Sequence, residues 1–310
     1  MIEISKIVAY KAFGLKISSD FSLPELEEVP VDGNETEVKI LNENLADLWS
    51  SLAEPKKSIY VTEHLCMFEV PKVAIFKVES GSIISISPID GANESQIRLY
   101  ILGSCMGVLL MQRMILPIHG SAVVIDGQAY GIVGDSGVGK STLASAFIKR
   151  GYQLLTDDVI AVSVSEGNIP IVTPSYPQQK LWQESLESFG MESEHFQSIY
   201  DRETKYVIPI KDHFVNKPIP FAGVFELIKS NEKDVEITTI NRLERFPVLF
   251  RNTFRNFIIK RAGLMQWHFD TSANLINKLD FYQIHRPNSR FTAHELVDLI
   301  LSKVKRGAVS

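Results

Sequence analysis

Cysteine is scarce in this 310-residue chain, with two in total. Cys66 and Cys105 stand in apolar surroundings without the spacing of a disulfide or metal site. They read as buried free thiols in a reduced, cytoplasmic setting. Met1–Lys6 lacks the basic-then-apolar pattern of a secretory signal. The most membrane-like run, Leu99–Met111, ends at Gln112-Arg113 and suits a buried helix better than a bilayer span. Basic excess is also missing. A net charge of −5 argues against a general nucleic-acid or membrane-surface binder. There is no internal repeat and no low-complexity segment.

What is present is a globular composition, 45% hydrophobic and 22% charged, enough to bury a full core in one large or two ordinary domains. Residues 1–112 read as a small α+β domain. Ala74–Val78 and Ser82–Ser87 are β-branched strands around a Ser80-Gly81 turn. Pro24–Asn34 is an acidic surface stretch. The apolar helix near 97–114 then leads into a second domain, 113–310. There Asp126-Gly127, set between apolar runs, marks a hairpin turn that needs positive φ. Lys180–Ser198 reads as helical, Ala222–Ile228, Val235–Ile240 and Tyr282–Arg286 as strands, and Thr292–Leu301 as a helix opened by a capping box. The basic, aromatic stretch from Arg242 to Arg261 reads either as a solvated helix face or, at Arg251 or Arg255, as a reach toward a phosphate.

The sharpest signal is Gly134-Asp135-Ser136-Gly137-Val138-Gly139-Lys140-Ser141-Thr142. It fits the phosphate-binding loop pattern G-x-x-x-x-G-K-[ST]. An apolar run, Ala129–Val133, precedes it, and a helix, Thr142–Arg150, follows. Glycines let the backbone curl so that N–H groups face phosphate oxygens. The helix adds its positive N-terminal end. Lys140 is expected at the β- and γ-phosphates of ATP and the Ser141 hydroxyl on Mg²⁺.

One helix later comes Asp157-Asp158, directly after an apolar strand. Two adjacent carboxylates there can divide the labour of holding Mg²⁺ and accepting the proton of an incoming hydroxyl. His119-Gly120 opens the hairpin that feeds the loop. Counting back from the Gly127 turn puts His119 at the same end of the hairpin as Gly134, where it is expected to stand close to Asp157. Tyr176, Lys180 and Trp182 read either as walls of the pocket or as a proline-bounded packing segment. Arg202 and Lys205 read either as stabilisers of the transferring phosphoryl group or as a solvated loop.

Together, His119-Gly120, Gly134–Ser141 and Thr156-Asp157-Asp158 resemble the catalytic domain of bacterial HPr kinase/phosphorylase. The resemblance implies an α/β P-loop fold with a mixed sheet, related to phosphoenolpyruvate carboxykinase, and an ATP- and Mg²⁺-dependent serine kinase. It implies that Asp157 is the general base, that His119 supports it, and that Ser141 and Asp158 serve Mg²⁺. The Gly-rich acidic-Arg loop of that family is missing, and Pro174-Ser-Tyr-Pro-Gln-Gln-Lys-Leu-Trp182 stands in its place. With Tyr10–Leu15 and Leu23–Leu26, this looks like the HPr kinase homologues of lasso-peptide biosynthesis, which implies a precursor peptide with a C-terminal serine as partner. HPr itself, a small hydroxy compound, and a nucleotide-binding switch without transfer activity stay open as alternatives, as does assembly into a homo-oligomer.

Overall fold

The computed structural model describes residues 9–30, 36–52, 57–199 and 202–307. Met1–Lys6 and the last part of the acidic stretch lie outside the described residues. Contacts divide the chain into two units: one runs to Pro117 and takes in Arg255–His268, and the other comprises Ile118–Phe254 and the chain from Phe269 onward.

In the first unit, β1 (Ala9–Ala12), β2 (Leu15–Ser19), β3 (Glu27–Val29), β4 (Val38–Asn42), β5 (Ile59–Val61), β6 (Leu65–Val70), β7 (Ala74–Glu79) and β8 (Ile83–Pro88) form one sheet. Their order is β3-β1-β2-β4-β8-β7-β6-β5. The β7–β8 turn uses Ser80 and Gly81 at φ 51° and 65°, as the sequence predicts. A short helix, α1 (Ala46–Leu52), carries the buried Trp49. The apolar run becomes α2 (Glu94–Tyr100), a π-helical turn at Ile101–Cys105 and α3 (Met106–Gln112), buried along most of its length. Among the described residues no helix is long and apolar enough to cross a membrane. Both cysteines are free and buried, and burial pushes the Cys66 thiol up to about 12.

In the second unit, β9 (Leu116–Ile125) and β10 (Gln128–Gly134) form the expected hairpin. Asp126 and Gly127 take φ 50° and 77°, the paired positive angles of a type I′ turn. The helix α4 (Lys140–Lys149) follows the loop, then β11 (Gln153–Thr156), β12 (Val159–Val164) and β13 (Pro170–Thr173). The next elements are β14 (Gln178–Trp182), α5 (Gln183–Ser188), β15 (Gln197–Ile199), β16 (Arg202–Pro209), β17 (Ile219–Ser230) and β18 (Glu236–Thr239). After α6 (Arg245–Asn252) the chain enters the first unit at α7 (Phe257–Arg261). It continues through α8 (Met265–Ile276) to β19 (Asp280–Pro287) and α9 (Ala293–Gly307).

The main sheet is mixed, with order β10-β9-β12-β13-β17-β19-β18, and β10 also pairs parallel with β17. That extra pairing closes five strands into a ring and puts the ends of β10, β17 and β19 side by side. Phe147 of α4 and Val297 of α9 are buried in one cluster with Ile132, Phe225 and Ile284. The predicted helix over Lys180–Ser198 is an error of period. Only Gln183–Ser188 is α-helical, and β14 and β15 flank β16 in a separate three-stranded sheet. Pairing of Lys180 with Val207 and Leu181 with Tyr206 supplies the backbone bonds that a helix would have made internally.

Gly120 of β9 pairs with Val133 of β10. A Cβ there would run into the Ile132 carbonyl oxygen and crowd Ile160 and Val133. Gly120→Ala is therefore expected to lower unfolding stability by about 1–3 kcal/mol, read as a lower urea midpoint at unchanged slope.

Candidate active site

The phosphate loop spans from the end of β10 to the start of α4. Gly134, Gly137 and Gly139 have φ of 133°, 76° and 103°, conformations that side-chain-bearing residues avoid. Lys140 is buried and folds back over the loop, its Nζ donating to the carbonyls of Gly134 at 2.8 Å and Asp135 at 3.0 Å. Burial lowers its proton affinity, partly opposed by Asp158 and Asp157. Thr142 meets Ser185 at 2.8 Å and so ties α4 to α5.

Asp157 and Asp158 occupy the break between β11 and β12. Asp158 holds φ 87°, rare for a residue with a side chain. Its carbonyl accepts the Gly120 N–H at 3.1 Å, and Thr156 closes the turn on Val159 at 2.6 Å. The His119 Nδ1 also lies 3.1 Å from the Asp158 carbonyl. A carbonyl only accepts, so Nδ1 carries a proton. Burial lowers the His119 pKa, against the pull of Asp158.

The break turns the two carboxylates to different partners. Asp157 Oδ1 accepts the hydroxyls of Ser121 at 2.5 Å and Ser141 at 3.0 Å, and Oδ2 accepts the Lys180 N–H at 2.9 Å. Asp158 Oδ2 pairs with Lys180 Nζ at 3.1 Å, and its Oδ1 lies 3.5 Å from His119 Nδ1. His119 thus stands against Asp158 rather than against the expected Asp157, because β9 pairs with the chain at the break itself. Burial by itself would raise the Asp158 carboxyl. Lys180, His119 and Lys205 outweigh it and hold the group well below the usual carboxylate range.

Lys205 belongs to this charge field. It lies over the Trp182 ring at 5.4 Å and lowers the proton affinity of both Lys140 and Asp158. The side chain of Arg202 lies outside the described residues. Tyr176 is buried next to Lys180, and Trp182 is partly exposed. Neither Arg251 nor Arg255 is a free phosphate ligand. Arg251 grips Glu226 through two bonds of 2.7 and 2.6 Å, and Arg255, in the other unit, donates to Ser104 at 2.8 Å.

Several residues here carry no motif in the sequence. Glu226, 2% exposed, stands on β17 opposite Val133. It accepts from Arg251, from Asn252 at 3.2 Å and from Gln283 at 3.1 Å. Asn252 then accepts the Gly134 N–H at 2.9 Å, which anchors the start of the loop. Arg286 holds the other end, its Nε donating to the Val138 carbonyl at 2.7 Å. Gln179, buried in β14, donates to the Ser141 carbonyl at 2.9 Å and accepts from Ser145 at 2.5 Å. Parallel pairing of β10, β17 and β19 is the only signal that gathers Glu226, Gln283 and Arg286. It is a tertiary fact with no spacing in the sequence.

The donor set suits a hard cation shared with phosphates. The Ser141 hydroxyl and the Asp157 carboxylate place oxygen donors together at the mouth of the loop. Among the described residues no cluster of three or more His, Cys, Asp or Glu stands ready to enclose a metal. Mg²⁺ bound with nucleotide needs no such cage, since phosphates and water complete its shell.

Part of the chain resembles known proteins. Residues 113–210 match the family described as the HPr serine kinase C-terminal domain. An HPr kinase/phosphorylase of Clostridium botulinum (strain Eklund 17B / Type B) is 42% identical over 52 residues, 17% of this chain and 17% of that protein. One from Mycoplasmopsis pulmonis is 24% identical over 221 residues, 67% of each. A solved Hpr(Ser) kinase/phosphatase from Coxiella burnetii aligns over 63% of this chain and 99% of its own, at 18% identity and a TM-score of 0.34. The matched segment has the fold expected for it, an HPr kinase C-terminal domain of mixed α/β type.

Asn252→Ala removes the acceptor of a buried loop N–H and one donor to buried Glu226. A loss of about 1–3 kcal/mol in unfolding free energy is expected, with weaker nucleotide binding, from urea titration and calorimetry of the same protein.

Proposed function

We propose that this chain, whose residues 113–210 carry the HPr serine kinase C-terminal domain, transfers the γ-phosphoryl group of ATP to a serine hydroxyl. One observation carries the proposal. The phosphate-loop serine, Ser141, donates to Asp157, and the next residue, Asp158, faces His119.

The hydrogen bonds favour a division of labour opposite to the one implied by the resemblance. Asp157 sits on the loop serine, which is the place for the cation partner. Asp158 keeps Oδ1 toward His119 and is the better placed proton acceptor. Ser141 and Asp157 would hold Mg²⁺, which would offset the charge that develops on the phosphates. The loop amides and Lys140 hold the phosphates; Lys140 exchanges its two carbonyl partners for phosphate oxygens. Asp158 orients the serine hydroxyl and takes its proton, and His119 fixes the Asp158 turn by donating from Nδ1 to its carbonyl. Lys205 adds positive charge where negative charge builds on the transferring group. A loose phosphoryl-transfer transition state asks little of the base beyond position, so a strongly ionised Asp158 suffices.

The acceptor we propose is the C-terminal serine of a precursor peptide. The strand Gln178–Trp182, in the stretch where HPr kinases carry their Gly-rich loop, supports an acceptor other than HPr. A nucleotide-binding switch is disfavoured, since binding alone has no use for an Asp158–His119 pair.

Asp158→Asn is expected to bind ATP as the parent does and to lose about 10²- to 10⁴-fold in transfer rate, by quench-flow of radiolabelled phosphate. Asp157→Asn should instead weaken the metal dependence, raising the Mg²⁺ concentration for half-maximal rate. Full activity in the Asp158 variant would remove it as the proton acceptor. Assay of a serine-ended peptide beside HPr separates the two acceptors.

A further inference from the structure

Strand β14 brings a single residue against both carboxylates. The Lys180 N–H donates to Asp157 Oδ2 and its Nζ to Asp158 Oδ2, with the side chain only 11% exposed. Its neighbour Gln179 is locked to Ser141 and Ser145 of α4. The Lys180 backbone is thereby tied to the start of the loop helix.

All four carboxylate oxygens face a partner. Those of Asp157 take Ser121, Ser141 and the Lys180 amide; those of Asp158 take the Lys180 ammonium and face His119. Adjacent carboxylates at a phosphate site commonly share a pair of divalent cations, which clamp the entering and leaving oxygens. Here one of those positions is filled by a tethered point charge with three donors and no acceptor. From this we infer that Lys180 is a built-in counter-ion that replaces a second divalent cation at Asp158, so that the site takes one metal ion, beside Ser141 and Asp157. The inference rests on the reading of Ser141 and Asp157 given under the proposed function. Lys180 is then a positioning residue: it acts through Asp158 and holds that carboxylate aimed at the acceptor. It also frees the Asp158 side from dependence on metal supply.

The test is Mn²⁺ binding to the full chain without nucleotide, with the free ion read by electron paramagnetic resonance. Lys180→Met should bind Mn²⁺ at least about tenfold more tightly than the parent, the scale of one unit charge near a protein surface. Lys180→Arg should restore the parent affinity, and adding Asp158→Asn to Lys180→Met should abolish the gain. Equal or weaker Mn²⁺ binding by Lys180→Met, with parent-like circular dichroism, overturns the inference. Should that variant not fold, Lys180→Gln takes its place: tighter Mn²⁺ binding than the parent is expected, and equal or weaker binding overturns the inference. No nucleotide or acceptor is present, so these outcomes are separate from transfer. A chain that binds Mn²⁺ in this pattern yet phosphorylates nothing would refute the kinase reading and leave Lys180 in its role.

Discussion

Two carboxylates on consecutive residues repel each other, and the candidate site is organised around that repulsion. In a regular strand, Asp157 and Asp158 would point to opposite faces. The chain instead breaks, Asp158 adopts φ 87°, and both side chains stay at the end of the phosphate loop. The strain is held by the Gly120 amide and the His119 ring on the Asp158 carbonyl. The charge is balanced by Lys180, with Lys205 and Lys140 in the same field. Glycine at 120 follows from this, because β9 must pass close to β10 to reach the break.

The phosphate loop is fixed at both ends by groups distant in sequence. Asn252 holds the amide of Gly134, Arg286 holds the carbonyl of Val138, and Gln179 holds the carbonyl of Ser141. Asn252 is itself fixed by the buried Glu226, whose charge is met by a two-pronged Arg251. A pre-organised loop of this kind binds phosphates without having to order itself first, which favours affinity and alignment together.

Much of this is legible in the sequence. Gly134–Thr142 demands its loop because glycine, lysine and serine have separate physical roles there. Asp126-Gly127 demands its turn, and counting from that turn puts His119 at the loop end. The readings that failed did so where tertiary pairing overrides local pattern. Lys180–Ser198 has apolar residues at helical spacing, yet β16 recruits its first part into a strand. His119 meets Asp158 rather than Asp157 because the Gly120 amide bonds the Asp158 carbonyl, and nothing in Thr-Asp-Asp announces a left-handed residue. Arg251 reads as a phosphate ligand until Glu226, 25 residues away, is found buried beneath it. Glu226, Asn252 and Arg286 have no spacing rule, since parallel neighbours are set by the fold.

The central claim is that the His119, Gly134–Ser141 and Asp157-Asp158 constellation moves a phosphoryl group onto a serine hydroxyl. The direct measurement is mass spectrometry of a serine-ended peptide and of HPr after incubation with the chain, ATP and Mg²⁺, with fragmentation to locate the phosphate. The account predicts one or more phosphoryl groups on the C-terminal serine of the peptide and none on HPr. ATP bound while both acceptors remain unmodified would contradict it.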